Sequence, residues 1–353
     1  MRLSTTIALS LATLALAACG SNTGGQKTQG ATGGSAAAAG QITGAGSTFV
    51  YPVLSAWSAS YSQSGKANVN YQSIGSGGGI AQIKAATVVF GATDKPLDSK
   101  ELTASGLAQF PIVIGGIVPV TNISGVGPGE LKLTGPLLAD IYAGNVKKWN
   151  DPAIVKINAG VKLPDAAITA VHRSDGSGTT YNFTHYLGQV SPSWKAGAGE
   201  GTTVNWVGGV GGKGNEGVAG YVRQIPNSIG YVEYAYVKQN NMNWASLQNA
   251  AGNFIAPSAE SFQAAAATAD WAKAQDFDLV MTNAPGPQAY PIAASTFILM
   301  YKQPKNADAS KSALDFFRWS LEHGQAQAQK LDYVPLPADL VKRIEDYIAA
   351  NVK

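Results

Sequence analysis

Two patterns of apolar residues alternate along most of this chain. Short strand-like runs come at Val69–Ile74, Val88–Ala92, Pro111–Val118 and Ile168–His172. The run Pro111–Val118 is apolar throughout, as a strand buried on both faces must be. Between the runs, apolar side chains recur every three or four positions and predict helices. Val50, Val53, Leu54, Trp57 and Tyr61 share one helical face, with Pro52 tolerated in the opening turn. Ile80 and Ile83 lie three apart; Phe183, Tyr186 and Leu187 repeat the spacing. Thr134-Gly135-Pro136 opens a helix carrying Leu137, Leu138, Ile141 and Tyr142. Leu314, Phe317 and Leu321, then Leu340, Ile344 and Ile348, mark further amphipathic helices. Strands alternating with helices predict α/β layers around a largely parallel sheet. The 353 residues are enough for two lobes, and no repeat is apparent.

The N-terminus follows another pattern. Arg2 precedes an apolar stretch, Leu3–Leu16, too short for a convincing membrane span. It ends in Leu16-Ala17-Ala18-Cys19, which resembles a bacterial lipobox. The likeness implies a signal peptide over residues 1–18, cleavage before Cys19 and acylation of that residue. An ordinary secretory signal is the alternative. After Cys19, residues 20–40 are Gly, Ser, Thr, Ala and Gln with Asn22 and Lys27, and the stretch 19–40 buries nothing and reads as a flexible tether. Gly20 and Ser21, with no Asp after the Cys, lean towards the outer membrane. Cys19 is the only cysteine, so no intramolecular disulfide can form.

Charge removes several functions. The formal net charge is +3, only 13% of residues are charged, and no Lys/Arg run exists, so nucleic acid is not an expected partner. His172, His185 and His323 are scattered, which argues against a histidine metal cluster or a catalytic triad. Ser177 lacks the Gly two residues before it that a nucleophile elbow needs. Gly211–Gly217 lacks P-loop spacing and reads as a loop and helix cap. The Trp and Tyr residues are scattered and read as packing.

The chemistry lies in recurring Gly/Ser turns. Gly44–Phe49, Gly75–Gly79 and Asp175–Thr179 each place bare amides and a small hydroxyl where a helix begins. Taken singly, such a turn is ordinary capping. Together, with Arg173 before the last and Asp94 after a strand, they aim several helix N-termini at one small oxyanion. Three N-termini at roughly +0.5 each, plus Arg173, total about +2.5, enough to offset a dianion. Thr48, Ser76, Ser177 and Thr179 add hydroxyl donors; backbone N–H groups near Phe49 and Gly178 add more. Asp94 makes sense if the ligand carries a proton, since an ionised Asp can accept one P–O–H. Sulfate has no such proton. Leaving buried groups unpaired costs at least the ~1–3 kcal/mol of a neutral one, so at least tenfold discrimination follows. Asp175 is placed to brace the guanidinium. A turn at Asp94 and a surface ion pair at Arg173 are the bland alternatives.

From Ile42 onward the chain resembles the periplasmic phosphate-binding protein of bacterial phosphate-specific ABC transporters. The likeness is carried by Thr43–Phe49, Tyr71–Gly79, Phe90–Asp94, Arg173–Thr179 and Ile229–Tyr234. It implies a two-lobe α/β fold of the periplasmic-binding-protein type II, each lobe a sheet flanked by helices, with the ligand in the cleft. The lobes would comprise residues 41–118 with 292–353, and 119–291. Thr48, Phe49, Ser76 and Asp94 would hold phosphate from the first lobe. Arg173, Ser177, Gly178 and Thr179 would hold it from the second, with Asp175 bracing Arg173. The resemblance implies no catalysis, no cofactor, and a monomer that serves a permease–ATPase complex. Rivals are a receptor for another oxyanion such as sulfate, and a secreted phosphatase. Gly77 stands where such loops often carry a second Ser, which is expected to loosen the turn.

Overall fold

The computed structural model describes residues 41–353; the signal peptide, Cys19 and the tether lie outside them. No helix among the described residues is long and apolar enough to cross a membrane. In chain order, the first elements are β1 (Ile42–Gly46), α1 (Tyr51–Gln63), β2 (Val69–Ser73), α2 (Ser76–Lys84), β3 (Phe90–Thr93) and β4 (Leu107–Asn122). Then come α3 (Gly135–Tyr142), β5 (Thr169–Arg173), α4 (Gly178–Val190), β6 (Val210–Gly212) and α5 (Gly214–Gln224). The chain continues through β7 (Ser228–Glu233), α6 (Tyr234–Gln239), β8 (Ala293–Tyr301), α7 (Ala307–His323) and α8 (Ala338–Asn351).

The helical faces bury the side chains their spacing predicts. α1 buries Val53, Leu54, Trp57 and Tyr61; α8 buries Leu340, Ile344 and Ile348. Thr134 caps α3 by accepting the Leu137 N–H. The apolar run at 111–118 is the middle of a strand, β4, that extends to 16 residues.

The sheet is mixed rather than largely parallel. Among the described residues its strands run in the order β2-β1-β3-β8-β4-β7-β5-β6, with the short strand Asn243–Trp244 also on β4. β1 is parallel to β2 and β3. β5 is parallel to β6 and β7. Between these blocks, β8 is antiparallel to β3 and β4, and β4 is antiparallel to β7. The reason is topological. β4 carries the chain out of the first block and β8 brings it back, so the two must run in opposite directions. β4 serves both blocks: residues 107–116 pair with β8 and 117–122 with β7. Aromatic pairs pack in each block within one continuous core. Phe90 meets Phe317 edge-on with centroids 4.9 Å apart, and Phe183 stacks on Tyr231 at 4.1 Å. This is a two-lobe α/β fold. In such sheets ligands gather beyond the carboxyl ends of strands, where the helices begin.

Candidate functional site

The turn after β1 is set by tyrosines. The carbonyls of Ser47, Thr48 and Phe49 accept hydrogen bonds from the hydroxyls of Tyr71 (2.8 Å), Tyr236 (2.6 Å) and Tyr333 (2.6 Å). In a trans peptide the C=O and the following N–H point opposite ways. Pinning these carbonyls therefore turns the amides of Thr48, Phe49 and Val50 to the other side of the turn. The Phe49 N–H donates to Ser47 Oγ at 3.0 Å. Thr48 is buried, and its Oγ1 accepts from Asn215 N (3.1 Å) and Nδ2 (2.7 Å).

Asp94 follows β3 and is 2% exposed. Ser47 Oγ lies 2.6 and 2.8 Å from its two carboxylate oxygens. Thr296 Oγ1 donates to Oδ1 at 2.7 Å, and Ser76 Oγ lies 3.4 Å from Oδ2. A register shift in β8 between Thr296 and Phe297 accompanies this contact. Burial pushes the Asp94 pKa up to about 6, while the hydroxyls of Ser47 and Thr296 and the charge of Arg173 pull against that rise. At neutral pH the group is an ionised acceptor.

Arg173 ends β5 and is 4% exposed. Its Nε and Nη2 grip Asp175 Oδ1 and Oδ2 at 2.8 and 2.6 Å. Asp175 also accepts the Gly214 N–H at 3.0 Å, which fixes the brace itself. Nη1 is on the remaining edge of the fork, 3.4 Å from Thr179 Oγ1. Tyr231 Oη accepts the Arg173 N–H at 3.2 Å. Ser177 caps α4 by accepting the Thr180 N–H at 3.0 Å. The first helical residues, Gly178 and Thr179, are buried, and their N–H groups are among those an α-helix leaves unpaired.

The two walls meet. Asn182 Nδ2 donates to the Asp94 carbonyl at 2.6 Å, and the Gly77 N–H donates to the Gly176 carbonyl at 2.9 Å. A Cβ on Gly178 would lie 2.5 Å from Ser76 Oγ and 2.6 Å from Asp94 Cβ. Only a glycine lets α4 begin that close to the other wall. Gly77 plays a similar part: rather than loosening its turn, it lies flat against Gly176, where a Cβ would come within 3.0 Å of Gly176 Cα. Contacts thus bring these residues together: Gly178 abuts Ser76 and Asp94, Asn215 links Thr48 to Thr179, Arg173 reaches Thr179, and Phe49 and Ser177 lie in the same turns, with Asp175 gripping Arg173.

Sequence reasoning missed several members. Asn215, in the first turn of α5, bridges Thr48 Oγ1 and Thr179 Oγ1 and accepts the Glu233 N–H at 2.9 Å. Its signal was visible, because Gly211–Gly217 is another Gly-rich turn opening onto a helix. So α5 joins α1, α2 and α4 in directing its N-terminus at this place. Thr296 and the tyrosines had no local signal.

The family described as PBP superfamily domain matches residues 31–323. A phosphate-binding protein PstS from Xylella fastidiosa is 62% identical over 313 residues, covering 89% of this chain and 86% of that protein. A phosphate-binding protein PstS from Pasteurella multocida is 52% identical over 312 residues, covering 88% and 91%. A solved structure of a phosphate-binding protein from Stenotrophomonas maltophilia superposes with a TM-score of 0.69 at 19% identity, covering 87% of this chain and 93% of that one. The same fold, the shared sequence and the convergence of the motifs place the chain in the PBP superfamily, as a member of the PstS phosphate-binding protein family.

Proposed function

We propose that this chain captures inorganic phosphate between its lobes and delivers it to an ABC-type importer, acting as a monomeric binding protein rather than an enzyme. The observation that carries the reading is Asp94: a buried, ionised acceptor set opposite a buried guanidinium and several helix N-termini. A fully deprotonated oxyanion meets repulsion there. A protonated phosphate offers Asp94 a hydrogen and fills the remaining donors with its other oxygens.

In this reading Thr48, Phe49, Ser76 and Asp94 hold phosphate from the first lobe. Arg173, Ser177, Gly178 and Thr179 hold it from the second, and Asp175 braces Arg173. The lobes divide at 118/119 and 291/292, a division supported by the change of partner along β4. Closure is a population shift, since the ligand touches both lobes only when they are shut. Acyl chains on Cys19 would tether the protein to a membrane facing the periplasm; loss of labelled fatty acid in Cys19→Ser checks this. Calorimetry with phosphate and sulfate tests the central reading. Phosphate is expected to bind at least tenfold more tightly, and equal affinities would sink it.

A further inference from the structure

Glu233 is a buried acid that the phosphate reading does not use. It ends β7, and its Oε2 accepts the Ala235 N–H at 2.8 Å, capping α6. The residue is wholly buried, and Oε1 has no hydrogen-bond partner among the described residues. Its position is particular. Glu233 pairs with Ile117, the β4 residue just past Gly116, where β4 leaves β8 for β7. Across that junction, Tyr333 Oη lies 3.0 Å from Glu233 Oε2 and 2.6 Å from the Phe49 carbonyl.

Counting hydrogens decides how this chain is wired. A carbonyl cannot donate, and a phenol has one hydrogen. At 2.6 Å the phenol hydrogen belongs on the Phe49 carbonyl, since two bare lone pairs would repel at that distance. The contact at 3.0 Å is then a full hydrogen bond only if Glu233 supplies the hydrogen. An ionised Glu233 would also leave Oε1 as a bare buried charge. The titratable groups around it bring no positive charge: Asp94 from the end of β3, Tyr234 and Tyr236 from α6, and Tyr333 from the segment between α7 and α8. Burial first, and then Asp94, hold its pKa well above the usual carboxylate range, against the pull of the Ala235 N–H, Tyr333 and the Tyr234 N–H.

We propose that Glu233 is a positioning residue that carries a proton at neutral pH and, by donating it to Tyr333, locks the Tyr333 hydroxyl onto the Phe49 carbonyl and fixes the turn facing the anion. The second lobe thereby steadies part of the first lobe's binding surface from behind. The role in binding rests on the phosphate reading above; the proton does not.

Infrared difference spectra between the wild type and Glu233→Gln, without ligand, test the proton. A protonated carboxylic C=O band is expected in the wild type at neutral pH and absent from the variant; no such band overturns the proposal. Calorimetry with inorganic phosphate tests the positioning. Tyr333→Phe, which keeps the ring, is expected to weaken binding about tenfold by leaving a buried carbonyl unpaired. Glu233→Gln can still donate to Tyr333 and should stay within about threefold of the wild type, whereas Glu233→Ala should lose about tenfold. The wild type should lose affinity on an alkaline limb that Glu233→Gln lacks. A Gln variant no better than Ala, or the same alkaline limb in both, would overturn the positioning role. If Glu233→Ala does not fold, the Gln and Tyr333→Phe variants still decide. A wild type that ignores phosphate would sink the earlier reading and leave the infrared result standing.

Discussion

Asp94 and Arg173 lie at the ends of β3 and β5, near enough for the guanidinium to act on the carboxylate, yet the two walls hold their charges differently. Asp94 is wrapped in hydroxyls from Ser47, Thr296 and Ser76 and has no cation bonded to it among the described residues. Arg173 is paired at once, through a two-pronged grip on Asp175. Summed over Asp94, Arg173 and Asp175, the side chains leave the site negative. The guanidinium alone therefore cannot be what attracts an anion. The attraction has to come from amides and from the N-termini of α1, α2, α4 and α5, about +2 in total at roughly +0.5 each. The walls divide the work. In the proposed reading the first screens for a ligand proton, the second adds the guanidinium, and helix N-termini on both walls supply the grip.

The sharpest way to break this division is Arg173→Ala. It removes one charged fork and leaves Asp175 without its cation behind the site, so calorimetry should record a loss of phosphate affinity above 100-fold. A loss under threefold would mean that the second wall is not a wall. Next is Asp94→Asn, which should shift the phosphate-to-sulfate affinity ratio at least tenfold towards sulfate. If the ratio holds, the first wall does not screen. Asn215→Ala unties Thr48 from Thr179, and a loss of about 5–10-fold in phosphate affinity is expected from one buried network member. No change would leave α5 outside the site.

pH separates the walls more gently. Asp94 titrates near 6 in the folded chain, above the ordinary carboxylate value of 3.8. A raised folded pKa means that folding favours the protonated form. Its stabilisation is complete below the unfolded value and is lost as pH rises through about 6. Melting of the phosphate-free protein should therefore drop over that window, and Asp94→Asn should flatten the drop. Below it, Asp94 becomes a donor and sulfate rejection should fade. The smallest expected effect is from Thr296→Val. Removing one donor to the carboxylate should move that midpoint up by about half a pH unit to one unit, worth ~1 kcal/mol.

Local signals made one part of the site legible. Thr48, Ser76, Ser177 and Gly178 sit in turns whose chemistry is written in consecutive residues, and Arg173 and Asp175 are two apart. The partners that hold these residues are remote. Thr296 lies 202 positions from Asp94, Tyr236 lies 188 from Thr48, and Tyr333 lies 284 from Phe49. A tyrosine on a helix spaced for burial gives no hint of which carbonyl its hydroxyl will meet. The strands followed the same rule. Their periodicity located β2, β3 and β5, but periodicity carries no direction, so the antiparallel centre was not foreseen. The length of β4 was hidden because Gln109 and Thr121 interrupt its apolar run while remaining buried.

That long strand has a mechanical consequence. A bilobed receptor joined by a slack tether would have to freeze many backbone rotations each time it shut, and binding would be weakened by that ordering cost. Here the backbone of β4 runs hydrogen-bonded from one block into the other, so the opening proposed above would have to deform a paired strand rather than a free linker. Such a movement would order few backbone rotations, so little of the binding energy would be spent on closing.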